Sequence, residues 1–344
     1  MPNKSEQDFK SLVESKKVIG TESSPLVLNR AELEGVNLSD VHFENVIFND
    51  LALLQVRLDR AYFKNVIFNS CVSLKWRFDY ATMDNVIFNK CKLRSFNPMG
   101  VTFINTSFNR TNIDAASFAG AKGSVAVLDS KLDDLDIGDT DISWTITNST
   151  LDKIEAFKIG GSITLIDSTF TDANLEFGEM DSFEAYNSTI DALGPTTIRN
   201  QLVIKGGKVE WSGMNAGSVH IDGISAQRFS MSYGDMGNVL IENCRNLGVL
   251  GFSQSKMDTL HVRNCKIDDF GGHATIANLL QFEDVSIHDL VLAESDIQRW
   301  KMHNVQLTGK LNFELGTIRE KQFTNVDVDR KAVINLRNTT FSFP

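Results

Sequence analysis

The sequence predicts an all-β chain wound as a parallel β-helix, a solenoid in which each coil stacks on the one before. Three observations predict it. First, Val46-Ile47-Phe48-Asn49 returns as Val66-Ile67-Phe68-Asn69, as Val86-Ile87-Phe88-Asn89 and, more loosely, as Thr106-Ser107-Phe108-Asn109, each copy 20 residues after the last. A fixed step of this size marks units that bury their apolar face only against a neighbour. Second, within each step the chain divides into fives, such as Val41-x-Phe43, Val46-x-Phe48, Leu51-x-Leu53 and Val56-x-Leu58. Residues two apart point to one side of an extended chain, so each five sends a small and a large side chain inward. Third, Asn45, Asn65, Asn85 and Asn105 keep the same step, and Asn29 extends the Asn49 column backward. Asn tolerates tight corners and bonds its own backbone there, and stacked amides also bond one another along an axis.

Composition agrees. Of 344 residues only 5 are Pro, 23 are Phe and 42% are hydrophobic, which suits a strand-rich core. Four cysteines in so long a chain make no disulfide framework. Cys71 and Cys91 are 20 apart and Cys244 and Cys265 are 21 apart, so each pair should stack on adjacent coils as small wall residues. No stretch reads as a secretory leader or a membrane span, so the expected location is the cytoplasm, with leaderless export the alternative.

Taken in order, residues 1–24 precede the repeat. Ser5-Glu6-Gln7-Asp8 resembles a capping box, with Phe9, Leu12 and Val13 on one helical face. A short helix here would cover the open end of the first coil; a targeting segment is the other reading. Residues 25–344 are expected as one continuous β-helix. It has regular coils over 25–120, an insertion at 121–128 and divergent coils over 129–344. The insertion is inferred from the step of 24 between Asn105 and Asp129, with Gly120-Ala121-Lys122-Gly123 as its bulge. Beyond it, an apolar-x-apolar-x-Asn/Asp/Gly signature ends at Asp129, Asn148, Asp167, Asn187, Gly206, Gly223, Asn243, Asn264, Asp284, Asn304 and Asn325. Counted from Asn45, these anchors give about 15 coils. Asn148-Ser149-Thr150 and Asn187-Ser188-Thr189 read as glycosylation sequons by accident of this ladder. No helical cap is visible at Asn338–Pro344, and an uncovered last coil would favour an end-to-end homodimer.

The fives over residues 26–120 resemble the pentapeptide-repeat family, whose motif is a small residue, often Asp or Asn, Leu or Phe, then two freer positions. The resemblance implies a right-handed, quadrilateral β-helix. The chain departs from the motif where Ile47, Ile67 and Ile87 replace Asp or Asn, where Trp76 and Phe96 replace a small residue, and where Pro98 takes a central position.

Two outward features are candidates for function. Ile47, Ile67 and Ile87 form an apolar stripe, read either as a docking surface or as β-propensity on an exposed face. Beside it Glu44, Lys64 and Asp84 alternate in sign along one column. The second feature is charge. The net charge is −10, yet residues 129–195 hold 15 Asp or Glu against 3 Lys or Arg, a net of −12, while residues 1–120 balance 13 acids with 14 bases. This acidic belt includes Asp133, Asp134, Asp136, Asp139, Asp141, Glu176, Glu179 and Asp181. It reads as a solubilising face, as a surface for a basic partner, or as carboxylates for catalysis or a cation.

The expectation is a non-enzymatic scaffold that binds another protein, a basic one if the belt is its surface, with no cofactor, no metal, no membrane and no direct nucleic-acid binding. Two alternatives stand beside it. The family resemblance implies a DNA-mimicking modulator of a type II topoisomerase. The β-helix itself allows a polysaccharide-active enzyme with paired carboxylates. His220 and His261 share a column two coils apart, too far for one metal, and the other four His make no ligand spacing. No phosphate loop, Ser-His-Asp set or CxxC pair is present.

Overall fold

A computed structural model describes residues 18–21, 23, 25–175, 177–194, 196–337 and 339. The helix expected within residues 1–24 lies outside them, as does Glu176. The chain divides into two compact units, 1–175 and 176–344. All regular structure among the described residues is β-strand, in a parallel solenoid of about 16 turns against the 15 or so counted from the anchors.

In the first unit, equivalent residues stand over one another at the 20-residue step. Strand Val46–Asn49 pairs with Tyr62–Asn69 through Ile47↔Ile67, Phe48↔Phe68 and Asn49↔Asn69, and the next coil repeats this at Ile87, Phe88 and Asn89. Phe48, Phe68, Phe88 and Phe108 stack inside with ring centroids 4.9, 4.9 and 4.8 Å apart, the spacing of neighbouring strands. Burying each such ring is worth about 1.5–3 kcal/mol, and stacking adds to it.

The corners come every five residues. Asn45, Asp50, Gln55 and Arg60 all have left-handed φ, and so do Asn65, Ser70, Lys75 and Tyr80 on the next coil. Four corners per coil make the square section. Left-handed backbone is unfavourable for most L-residues, and Asn is among the few that tolerate it. At these corners the amides bond along the axis: Asn65 Nδ2 donates to Asn45 Oδ1 at 3.0 Å, and Asn85 to Asn65 at 2.8 Å. A second amide ladder, Asn29, Asn49, Asn69 and Asn89, runs one residue before another corner, with contacts of 2.7–3.1 Å.

The bulky departures are accommodated by volume exchange. Trp76 takes the small-residue position of its five, while Ser73 takes a large-residue position in the five before it. Both are buried. One coil later the exchange falls within a single five, where the buried Phe96 takes the small-residue position and the buried Pro98 the large one. Corners at Lys75, Tyr80, Lys90, Ser95 and Gly100 persist through this stretch.

The expected insertion at 121–128 is instead a strand, Lys122–Leu128, and the coil there is shorter. Asn109 pairs with Leu128, so Asp129 stacks on Arg110 and not on Asn105. The step of 24 compared two different corners. The register shifts between Phe103 and Thr106, where one corner is lost. Gly123 makes this turn at φ 112°, with the Phe103 carbonyl oxygen where a Cβ would stand. Afterwards the step is 19 with three left-handed non-glycine corners per coil: Asp129, Asp134 and Asp139, then Asn148, Lys153 and Lys158.

One interior column is polar. The backbone N–H of Cys91 donates to Thr111 Oγ1 at 3.2 Å, Thr111 N to Ser130 Oγ at 3.0 Å, Ser130 N to Ser149 Oγ at 3.0 Å, and Ser149 N to Ser168 Oγ at 3.2 Å. Each small side chain thus supplies the acceptor that a buried corner N–H needs. Cys71 and Cys91 lie in this column, and Cys244 N donates to Cys265 Sγ at 3.4 Å in the same way within the second unit. All four are free and buried, and Cys91 Sγ also donates to the Phe68 carbonyl at 3.3 Å.

The second unit is built from longer strands, including Met214–Asp222, Asp235–Glu242, Lys256–Gly271, Ile276–Val291, Asp296–Leu307 and Thr317–Val328. Its later coils have two left-handed non-glycine corners each, such as Asn243 and Gln254, Asn264 and Ala274, and Asp284 and Glu294. The anchors read from sequence hold: Asn264 donates to Asn243 at 2.8 Å, Asn304 to Asp284 at 2.8 Å and Asn325 to Asn304 at 2.6 Å. Among the described residues, no helix is long and apolar enough to cross a membrane.

Candidate functional site

The outward positions of the first unit form two contrasting faces. On one, Val27, Ile47, Ile67, Ile87 and Ser107 follow each other in register. All are half-buried because polar columns flank them. Lys64 Nζ lies 3.0 Å from Glu44 on one side, and Tyr62 donates to Asp84 at 3.4 Å. The Asn45 and Asn49 ladders border the stripe along its length. The structure therefore brings Ile47, Ile67 and Ile87 together as expected.

The acidic residues are regrouped. Strands Asn112–Ser117, Lys131–Asp136, Thr150–Glu155 and Thr169–Asn174 lie side by side. Asp114, Asp133 and Asp152 stack in one outward column, and Ser117, Asp136, Glu155 and Asn174 in a second. With Asp134 and Asp172 at the corner between them, the four strands carry seven acids, against Lys131 and Lys153 alone. Like charges placed directly opposite destabilise a sheet. Local contacts offset this in part. Lys131 and Lys153 contact the two oxygens of Asp133 at 3.1 and 3.2 Å, and hydrogen bonds from Lys131 and then Lys153 hold that carboxyl below its ordinary range. Asp152 accepts from Thr171 at 3.0 Å, Asp136 from Ser117 at 2.9 Å and Glu155 from Asn174 at 3.3 Å.

Within the first unit, the belt residues read from sequence do not all share one face. Asp133, Asp134 and Asp136 share the acidic face, and Asp114 joins them from outside the expected range. Asp139 occupies the next corner and Asp141 starts the following strand. Glu179 and Asp181 belong to the second unit, where Arg199 bridges both at 3.1 Å. The signal for Asp114 was present in its spacing, 19 before Asp133, but only the shortened coil makes that spacing meaningful.

In the second unit, Asp191 stands opposite Glu210 beside a groove of about 440 Å³ lined also by Trp211, Gln227, Arg228 and Val249. Glu210 accepts the backbone N–H groups of Gln227 at 2.6 Å and Arg228 at 2.8 Å, next to a shift in register between Lys208 and Trp211. Its two oxygens thus replace ladder acceptors. The one group of His and carboxylate side chains within metal-ligand reach among the described residues is His220, Asp222 and Glu242. The sequence paired His220 with His261 and passed over Glu242, which the 20-residue step from Asp222 would have found.

These faces define a class, the parallel β-solenoid with outward side chains stacked in columns. Within that class, residues 41–118 match the family model described as a pentapeptide repeat region. No curated protein sequence matches the chain. Among solved structures, it is similar to HetL, a pentapeptide repeat protein involved in heterocyst differentiation regulation from the cyanobacterium Nostoc, at 8% identity, 95% coverage of each chain and a TM-score of 0.22. The catalytic domain of a GH87 alpha-1,3-glucanase in complex with tetrasaccharides matches at 8% identity, over 97% of this chain and 67% of that one, with a TM-score of 0.18.

Proposed function

We propose that the protein is a non-enzymatic scaffold that binds a basic protein surface through the acidic face of its first unit. The observation that carries this reading is the register of Asp114, Asp133 and Asp152 beside Asp136 and Glu155. Stacked like charges cost stability, and a partner's Lys and Arg side chains would relieve that cost on contact. The Ile47, Ile67 and Ile87 stripe is a second, apolar contact on the same unit. The Glu210 carboxylate, occupied by two backbone donors, speaks against a catalytic pair with Asp191.

The test is affinity capture with the wild type and with the combined Asp114→Asn, Asp152→Asn and Glu155→Gln variant, at low and high salt. The reading expects a protein retained by the wild type, released as salt screens the charges, and not retained by the variant. Equal retention by both forms would overturn it.

A further inference from the structure

We propose that His220, Asp222 and Glu242 bind one divalent transition-metal ion of the zinc class on the outward face of the second unit. His220 and Asp222 lie two apart on strand Met214–Asp222, so both side chains leave the same face. On the next coil Glu242 stands opposite Asp222, and Leu240 opposite His220. One ligand atom from each of the three residues falls within 4.8 Å of the others.

The distances suit a metal. His220 Nε2 lies 2.8 Å from Glu242 Oε1. Two donors each about 2.0–2.1 Å from zinc stand roughly 3.3 Å apart in a tetrahedral site. Opening this contact by about half an ångström therefore admits an ion where the shared proton sits. Asp222 supplies the third donor, with a carboxylate oxygen within 4.8 Å of the other two ligand atoms.

The remaining oxygens are already held. Glu242 Oε2 accepts from Arg263 Nε at 2.6 Å and from its Nη2, and Asp222 Oδ1 accepts from Asn243 Nδ2 at 2.8 Å. Such outer contacts orient metal ligands and are part of a site's affinity. Glu242 is only 8% exposed, whereas His220 and Asp222 are half-buried and leave one side open to water. One imidazole and two carboxylates favour zinc, cobalt(II) or manganese over calcium or copper(I). Arg263 offsets one carboxylate charge, which favours moderate rather than very tight binding.

The competing reading is an ion-pair ladder of His220, Glu242 and Arg263. That ladder has no use for Asp222, so Asp222 separates the two. Elsewhere, His261 with Glu283 and His273 with Glu294 bring two donors each, at 3.3 and 3.5 Å.

The experiment is calorimetric titration of the chelator-treated full chain with zinc chloride, paralleled by the visible spectrum of bound cobalt(II). One ion per chain is expected. His220→Ala and Asp222→Asn should each weaken binding by roughly 100-fold, and Asn243→Ala by about tenfold. His261→Ala should leave it unchanged. Circular dichroism of each variant confirms that the coil is intact, and the buried Glu242 is left alone. No saturable one-to-one binding by the wild type would overturn the site. So would undiminished affinity in His220→Ala or Asp222→Asn, or loss in His261→Ala.

Discussion

The residues that keep the coils closed are the small ones at buried corners. Ser149 Oγ accepts the Ser130 N–H and donates to the Thr147 carbonyl at 2.8 Å. Ser149→Ala would leave that N–H buried without an acceptor, a cost of about 1–3 kcal/mol by chemical or thermal denaturation. Ser149→Cys should cost less, because Cys265 Sγ already accepts the Cys244 N–H at 3.4 Å in the equivalent place. Gly123 is the other residue with a single-position role. Its φ of 112° and the facing Phe103 carbonyl leave no room for a side chain, so Gly123→Ala should lower stability by more than about 1 kcal/mol in the same assay.

At the scale of the strand, charge placed in register controls both stability and recognition. Glu155 faces Asp136 on the neighbouring strand, so Glu155→Lys replaces repulsion with an ion pair. The melting temperature should rise by about 1–2 °C at low salt, and the gain should vanish at high salt, where the pair is screened. Asp133 behaves oppositely because two lysines contact it. Its depressed ionisation means that the ionic contact stabilises the fold at pH values above the ordinary carboxylate value of about 3.9. The contribution disappears as pH falls through the lowered value. Asp133→Asn should therefore melt below the wild type at neutral pH, and the two curves should converge in acid.

Across the whole molecule, the sequence disclosed what repeats and concealed what changes. The Phe48 column, the Asn45 ladder and the Ile47 stripe were legible because inward and outward residues recur at one step. The Asn243, Asn264, Asp284, Asn304 and Asn325 anchors were legible because a left-handed corner leaves an Asn or Asp signature. The shortened coil after Asn105 was not. Gly120 and Gly123 read equally well as an inserted loop and as a lost corner, and only the pairing of Asn109 with Leu128 separates them. That single shift of frame decides which acids share a face, so the belt read as one run of sequence splits into distinct groups. The polar column from Thr111 to Ser168 was missed because its residues replace apolar ones without breaking the period. The grouping of His220, Asp222 and Glu242 was legible only in part: the 20-residue step joins Asp222 to Glu242, but neither residue carries a ligand motif in its own stretch of sequence.

The grouping of the acidic residues depends on register, above all on the 19-residue register. Pyrene attached to Asp133→Cys and Asp152→Cys tests it directly, since the four native thiols are buried. Neighbouring strands hold these positions about 4.8 Å apart. Strong excimer emission is predicted for this pair, and none for Asp133→Cys with Asp141→Cys, which share a coil but occupy different strands. Absence of excimer from the first pair, or equal emission from both, would contradict the stacked columns on which the acidic face depends.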